Sequence, residues 1–255
     1  MNGIMDHPLL LFALSILTLW VAARFGASVL RNWIKLDAGA RGDFGTILAT
    51  TLTLNGLIIG FTFSMAIGRY ELRKNYEEAE ANAIGTEFVR ADLMPAADAA
   101  QVRELLRVYL DQRLAFYTAG SQQEIRQIKT RTAQLQTQLW KAVLGTSAAQ
   151  PTAIGSLVIA GMNDVLNSQG YTQSAWWNRI PLAAWILMGA IAVISHMLIG
   201  YGAHNTKSES ILMTVLPLVV SISFLLIADI DSPRSGIIRV VPRDLTSLAE
   251  SLRAQ

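Results

Sequence analysis

Four long apolar stretches alternate with charged segments along this chain. They cover residues 8–30, 44–67, 180–202 and 210–228. Each is close to or above the roughly 20 apolar residues that a helix needs to cross the hydrocarbon core of a bilayer. Between the second and third stretches, hydrophobic residues recur at the spacing of amphipathic helices, without strand-like alternation. The pattern predicts an all-α integral membrane protein with four transmembrane helices.

The first apolar stretch could instead belong to a cleaved signal peptide. A signal peptide begins with a basic segment, whereas residues 1–7 contain no Lys or Arg. The apolar run is also long for a signal peptide. We therefore expect a retained membrane helix.

The segment between the second and third stretches, residues 69–179, is expected to be helical throughout. Its first helix continues out of the second stretch and ends before Pro95, and the next begins with Asp98 as its N-cap. The Gly-Ser pair at 120–121 predicts a break, after which apolar residues follow a coiled-coil-like spacing. Pro151 predicts the start of a fourth helix. An antiparallel bundle or a long hairpin is the expected arrangement.

The chain is therefore divided into four parts. Residues 1–68 hold transmembrane helices 1 and 2, residues 69–179 form a helical domain, residues 180–229 hold transmembrane helices 3 and 4, and residues 230–255 form a C-terminal tail. Lys and Arg are slightly more frequent at the helix ends on the side of the helical domain. By the positive-inside rule, we expect the helical domain, the tail and both termini to be cytoplasmic.

Composition narrows the classes of function. Hydrophobic residues make up 52% of the chain, and the net charge is only +2. Because no run of Lys and Arg is dense enough to follow a phosphate backbone, nucleic acid is not an expected partner. There is no Cys, the three His are scattered, and no nucleophile elbow, phosphate loop or metal-binding pattern occurs. We predict no catalytic residues, no metal site, no cofactor and no enzyme activity.

The second apolar stretch carries the most informative spacing. Thr53, Leu57 and Phe61 are four residues apart, so each lies about 6 Å above the last on nearly the same helix face. Several copies of this helix around an axis would stack these residues into rings, forming a hydrophobic constriction. The spacing alone favours a simpler interpretation, in which the stripe packs on another helix or on lipid.

Polar residues at the membrane also allow two interpretations. Asn55 and His196 lie at membrane depth and form a candidate polar site, although hydrogen bonds to neighbouring helices explain them more simply. Arg69 and Tyr70 are suited to anchor the end of the second helix at the interface. Membrane lipid is thus a predicted partner.

Carboxylates occur in two groups outside the apolar stretches. Glu77, Glu78 and Glu80 are expected on a solvated helix face near basic residues, not as a catalytic pair. Asp229 and Asp231 follow the fourth stretch at a Pro- and Gly-containing segment, where we expect a turn capped by an Asp side chain. Two carboxylates could also hold a cation such as calcium, but the remaining acidic ligands are missing.

Three segments resemble a known family. They are "GFTFSMAIGRYELRK", "EEAEANAIGTEFVRADLMP" and "IADIDSPRSGIIRV". From about residue 52 to 240 the chain resembles bacterial four-helix membrane proteins called bestrophin-like, which are distantly similar to bestrophins, a family of pentameric ion channels. The resemblance implies a homo-oligomer, with a pentamer favoured, that conducts an inorganic ion across the bacterial cytoplasmic (inner) membrane.

The resemblance also implies roles for residues. In bestrophins a Phe in the second span ends a neck of three apolar rings, and the matching residues here are Thr53, Leu57 and Phe61. Thr53 departs from the pattern because it is polar. The cytoplasmic entrance of the second helix would be formed by Arg69, Tyr70, Glu71 and Arg73.

Three hypotheses remain open at this point. The first is a bestrophin-like channel with its pore lined by the second helix. The second is a non-conducting membrane scaffold or signalling protein whose helical domain binds a partner. The third is a stator-type proton channel, which we rank low because no Asp or Glu lies inside the four apolar stretches. The acidic clasp of calcium-responsive bestrophins is incomplete here, so we do not expect calcium gating.

Overall fold

The computed structural model describes residues 4–149, 153–203 and 207–254. None of these residues is in a β-strand, and the all-α prediction is confirmed for them. The α-helices of the described residues are α1 (Pro8–Phe25), α2 (Arg31–Trp33), α3 (Ala38–Arg90), α4 (Ala96–Thr118), α5 (Gln122–Ala149), α6 (Ala153–Trp177), α7 (Leu182–Gly202), α8 (Lys207–Asp231) and α9 (Arg243–Arg253). A π-helical turn, Gly26–Leu30, joins α1 to α2.

Four helical segments are long and apolar enough to cross a membrane, as the sequence predicts. They contain α1, α3, α7 and most of α8. The helix α3 has 53 residues. At 1.5 Å per residue it is about 80 Å long, more than twice the thickness of a bilayer core. Its apolar part is residues 44–67, and most of its charged residues follow in its second half.

The chain forms two compact units. The first unit consists of Met1–Tyr70 and Arg179–Arg239, and the second consists of Glu71–Asn178 and Val240–Gln255. The boundary between the two units falls within α3, between Tyr70 and Glu71.

The first unit is held together by apolar contacts between its long helices. Where α1 ends against α7 the two backbones approach closely. A Cβ atom at Gly26 would overlap the carbonyl of Met197, and one at Gly200 would overlap the carbonyl of Ala23. Small residues allow this approach, as they commonly do between membrane helices. The buried apolar residues of this core are Leu19, Ala66, Ile180, Trp185, Met188, Ala192, Val220, Phe224, Ile227, Ala228 and Ile230.

The second unit has its own apolar core, built by the second half of α3 with α4, α5, α6 and α9. The turn between α4 and α5 falls at the predicted Gly-Ser pair. There Glu124 accepts hydrogen bonds from the backbone N–H of Gly120 and Ser121, at 2.9 and 3.1 Å. The hydroxyl of Ser121 accepts one from the N–H of Glu124 in return. This reciprocal capping box starts α5.

The C-terminal helix α9 packs into the second unit. Leu245, Ala249 and Leu252 recur at helical spacing and are buried in its core. The predicted division of the chain places this region only in a C-terminal tail. The spacing of these three residues is the signal that marks it as an amphipathic helix.

Two predicted helix starts have different outcomes. The N-cap prediction for Asp98 is wrong, because α4 begins at Ala96 with Pro95 at the N-cap. Asp98 lies in the first turn, where a carboxylate is favoured by the helix dipole. The predicted start at Pro151 lies outside the described residues, and α6 is described from Ala153.

Candidate functional site

The three predicted neck residues lie on an exposed face of α3 within the chain. Leu57 is 50% exposed and Phe61 is 62% exposed, and Thr53 is also exposed. The Thr53 hydroxyl donates a hydrogen bond to the carbonyl of Ala49 at 2.9 Å, so its polar group is satisfied within its own helix. This arrangement reduces the polarity that Thr53 presents beyond its helix.

The other side of α3 packs into the first unit. Asn55, Thr62 and Ala66 are buried there. Even so, only 6% of the most apolar window of this helix is buried inside the chain, against 22%, 28% and 44% for the other three membrane segments. An apolar helix with so little burial must place most of its surface against lipid or against other copies of the chain.

Asn55 and His196, the candidate polar site, are both buried within the first unit. The Nδ1–H of His196 donates to the carbonyl of Ala192, four residues earlier in the same helix, at 2.6 Å. The Oδ1 atom of Asn55 has no hydrogen-bond partner among the described residues. No hydrogen bond joins the two side chains, and neither lies on the exposed face that carries Leu57.

The predicted entrance residues have different environments. Arg69 and Tyr70 are half-buried, and Glu71 is exposed. The Nη2 atom of Arg69 lies 3.5 Å from the sulfur of Met65, one turn earlier. These three positions are therefore accessible at the point where α3 leaves its apolar stretch.

Arg73 is instead a buried structural residue, only 1% exposed. Its guanidinium donates to the carbonyl of Ala175 at 3.2 Å and to that of Asn178 at 3.4 Å. These carbonyls lie at the C-terminal end of α6, where the last turn leaves acceptors unpaired and the helix dipole is negative. Arg73 thus caps α6, and α3 and α6 are joined by this contact within the second unit.

The expectation of a solvated acidic face on α3 is wrong for two of its three members. Glu77 and Glu80 are buried, and only Glu78 is exposed. Glu80 forms a buried ion pair with Arg113 of α4 and accepts a hydrogen bond from the Thr172 hydroxyl at 3.0 Å. The partners are far away along the chain, so sequence spacing gave no sign of them.

Glu77 contributes a hydrogen bond across the second unit. Its carboxyl accepts from the backbone N–H of Leu245, in the first turn of α9, at 2.9 Å. Burial raises the pKa of Glu77 to about 7, and the neighbouring Asp244 carboxylate adds to the shift, while the Leu245 N–H opposes it. Burial therefore favours the protonated form of this carboxyl.

Glu87 is a second buried carboxyl in the charged half of α3. Neither of its oxygens has a hydrogen-bond partner among the described residues. Burial raises its pKa to about 8, opposed by Arg90 and increased by Asp164. Gly161 leaves space for this side chain, since a Cβ atom there would overlap the Glu87 carboxyl. Burial thus favours the neutral form of Glu87.

The predicted turn after α8 is present and is capped by Asp229. The two oxygens of this carboxylate accept hydrogen bonds from the backbone N–H of Ile237 and of Ile238, at 2.7 and 2.8 Å. Both oxygens are directed to backbone donors rather than to a shared cation position. Across the described residues, no group of three or more His, Cys, Asp or Glu could hold a metal ion.

Asp231 has a role that its position in the sequence does not indicate. It accepts hydrogen bonds from the Nε of Arg179 at 2.9 Å and from the backbone N–H of Ile180 at 3.2 Å. Arg179 also pairs with Asp6, at 2.7 Å. This cluster joins the beginning of the chain, the start of α7 and the end of α8.

Comparison with solved structures identifies the fold. The bacterial bestrophin homologue from Klebsiella pneumoniae, solved by zinc phasing, is 13% identical to this chain, with a TM-score of 0.62 over 96% of this chain and 97% of that chain. One variant of the homologue gives 12% identity, the same coverage and a TM-score of 0.64. Another gives 12% identity and a TM-score of 0.61 over 100% of this chain and 97% of that chain.

Sequence comparison identifies the family. No curated protein matches this chain significantly. A family model described as the bestrophin-like domain matches residues 9–245. The match covers nearly the whole sequence and includes all four apolar helices. The chain therefore belongs to the bestrophin-like family and is a multi-pass membrane protein.

Proposed function

We propose that this chain is the subunit of a homo-oligomeric ion channel, most simply a pentamer, in the bacterial inner membrane. The pore is lined by α3, and the second unit with both termini faces the cytoplasm. The observation that supports this proposal is the apolar face of α3, which remains exposed within the single chain at Leu57 and Phe61. Membership of the bestrophin-like family supports it independently.

The neck of this pore consists of three rings. The rings are formed by Thr53, Leu57 and Phe61, which extend over about 12 Å of helix. Each subunit contributes one residue to each ring. Apolar rings of this kind control ion passage by excluding water from a narrow segment. Because the Thr53 hydroxyl is bonded to its own helix, the ring of Thr53 side chains is less polar than a ring of free hydroxyls.

Small residues on α3 are compatible with close packing of neighbouring copies. Gly56, Gly60 and Gly68 have no atom within 4 Å of the position that a Cβ would occupy. Their surfaces are therefore open in the chain, and a second helix can approach them closely. Arg69, Tyr70 and Glu71 then lie at the cytoplasmic end of the neck.

The proposal is tested by single-channel recording of the purified protein in planar bilayers. Leu57→Ala and Phe61→Ala widen the apolar rings and are expected to raise the open probability or the unitary current several-fold. Thr53→Leu narrows the ring of residue 53 and is expected to lower the open probability and the unitary current. Ile186→Ala is the matched control, because Ile186 on α7 is as exposed as Phe61, at 62%, but is not on α3.

The absence of current in the wild type and in all of these variants would contradict the channel proposal. In that case the second hypothesis stands, a non-conducting membrane scaffold whose helical unit binds a partner. A native mass measurement in detergent distinguishes the two beforehand, because a monomer has no symmetry axis about which α3 could form a pore.

A further inference from the structure

Three cationic side chains border a cavity of about 460 Å³ in the first unit. It lies where α1 ends and α3 begins, beside the C-terminal end of α7. The cations are Arg31, Lys35 and Arg41, and none of the described residues that line the cavity is Asp or Glu. A cavity with this lining has a positive potential and favours an anionic ligand.

The walls of this cavity are fixed by contacts between distant segments. The Nη1 of Arg31 donates to the carbonyl of Ala203 at 2.7 Å, and the hydroxyl of Tyr201 donates to the carbonyl of Ile34 at 2.8 Å. The rings of Phe44 and Tyr201 pack with their centroids 5.1 Å apart. These contacts connect the end of α7, the segment after α2 and the start of α3, so the cavity is formed by the fold.

The positive charge of the cavity is not neutralised by the carboxylates nearby in sequence. Lys35 and Arg41 are exposed and form no ion pair with a described residue. Asp37 accepts a hydrogen bond from the backbone N–H of Ala40 at 2.8 Å and so caps the start of α3. Asp43 does not line the cavity. The two exposed cations are thus available to a ligand.

The cavity borders the C-terminal end of α7 and the start of α3, two helices that are apolar and long enough to cross a membrane. Trp33, the last residue of α2, directly precedes the cavity residue Ile34 and is 83% exposed. Trp side chains are enriched at the interface between hydrocarbon and water. Lys and Arg at this level attract anionic lipids.

We propose that this cavity binds a phosphate group, supplied by the headgroup of an anionic phospholipid or by free phosphate. Lys35 and Arg41 contact the phosphate oxygens, Arg31 sets the position of the α7 end, and the Phe44–Tyr201 pair forms the apolar wall. The site is separate from the α3 neck, and it does not depend on whether the protein conducts ions.

The test uses the purified full-length protein in detergent, with ligand binding followed by native mass spectrometry and thermal unfolding. The probes are phosphatidylglycerol, zwitterionic phosphatidylcholine and inorganic phosphate. Lys35→Gln combined with Arg41→Gln is expected to weaken phosphatidylglycerol binding about 30-fold, the effect of losing two interfacial cations. Arg126→Gln combined with Lys141→Gln is the matched control, since it removes the same charge from exposed positions of α5.

Each outcome has a defined meaning. Binding of phosphatidylglycerol that depends on Lys35 and Arg41 and exceeds that of phosphatidylcholine supports a lipid source. Thermal stabilisation by inorganic phosphate that also depends on Lys35 and Arg41 supports free phosphate as the ligand of this site. Equal binding of every probe to the wild type, the double variant and Lys35→Glu overturns the proposal. Unchanged helicity of the variants by circular dichroism excludes misfolding as the cause of a loss.

Discussion

At the scale of single residues, the second unit is organised around buried charge. The side chains of Glu80 and Arg113 are 0% and 2% exposed and form one ion pair. Arg113 also lies over the ring of Phe116. Removing two charges from water is costly, and their mutual attraction offsets this cost only while both partners are present. The pair therefore adds little net stability by itself, although breaking it is costly.

Loss of one member of this pair is expected to be severe. Arg113→Met leaves Glu80 charged, buried and unpaired, and it should lower the free energy of unfolding by about 3–5 kcal/mol. The measurement is denaturant or thermal unfolding of the solubilised protein. Arg253→Met is the control, because its pair with Asp111 is 66% and 54% exposed and is worth at most about 1 kcal/mol. Equal effects of the two substitutions would contradict this account of Glu80.

Glu87 predicts a pH dependence of stability. Its folded-state pKa of about 8 lies above the ordinary value of 4.5, so between these values the folded protein holds a proton that the unfolded chain has released. Stability is therefore lost as the pH rises from about 4.5 to about 8. Glu87→Gln removes this loss, and its advantage over the wild type in free energy of unfolding should grow by about 1.4 kcal/mol per pH unit, from near zero at about pH 4 to roughly 4 kcal/mol at about pH 8. Parallel stability–pH curves for the two proteins would rule this out.

At the scale of elements, the contact between α1 and α7 depends on glycine. At Gly26 and Gly200 the obstructing atoms belong to the backbone of the other helix, which cannot move aside as a flexible side chain can. Other glycines of the same helices are not restricted in this way. Gly189, in the middle of α7, has open space at its Cβ position.

This difference gives a matched pair of substitutions in one helix. Gly200→Ala should force α1 and α7 apart and destabilise the protein by about 1–3 kcal/mol. Gly189→Ala should be neutral or slightly stabilising, because Ala favours a helix by up to about 1 kcal/mol relative to Gly. Thermal unfolding in detergent compares the two. A larger loss for Gly189→Ala would mean that the α1–α7 contact is not as close as described.

At the scale of the whole molecule, the low burial of α3 within one chain is the feature that most needs an explanation. A bilayer tolerates an apolar helix surrounded by lipid. The open surfaces at Gly56, Gly60 and Gly68 are better matched to another helix, since small residues mark close helix contacts in membranes. An assembly in which the α3 helices of several copies pack together accounts for the low burial of α3 and for the open surfaces of its glycines.

The corresponding prediction concerns oligomeric state. The solubilised protein should have a mass several times that of the 27.9 kDa chain, about fivefold for the favoured pentamer. Gly56→Leu places a large side chain on the flank of α3 beside Leu57, where it fits in the monomer but obstructs a neighbouring copy. It should shift the mass towards smaller species while the helicity per chain stays constant. A wild-type protein of single-chain mass would exclude the assembly.

The parts of the candidate site were predictable to different degrees. The stripe Thr53, Leu57 and Phe61 could be located from spacing alone, because residues four apart share a helix face. The exposed side of α3 could not be predicted from spacing, since it depends on where α1, α7 and α8 pack. The resemblance to bestrophins placed Arg73 with the entrance residues, yet it is buried and bound to the end of α6. Assignment of the stripe to a pore remains a prediction.

The sequence by itself determined the four apolar helices, the helical segment between them and the absence of strands from the described residues. These features depend on local composition and periodicity, which every stretch carries within itself. Only the tertiary structure decided the environments of the charged residues. Glu80 with Arg113, Asp231 with Arg179, and Glu77 with Leu245 are separated by 33, 52 and 168 positions along the chain. Whether a carboxylate is solvated or buried depends on such distant partners, and a pattern of neighbouring residues does not contain that information.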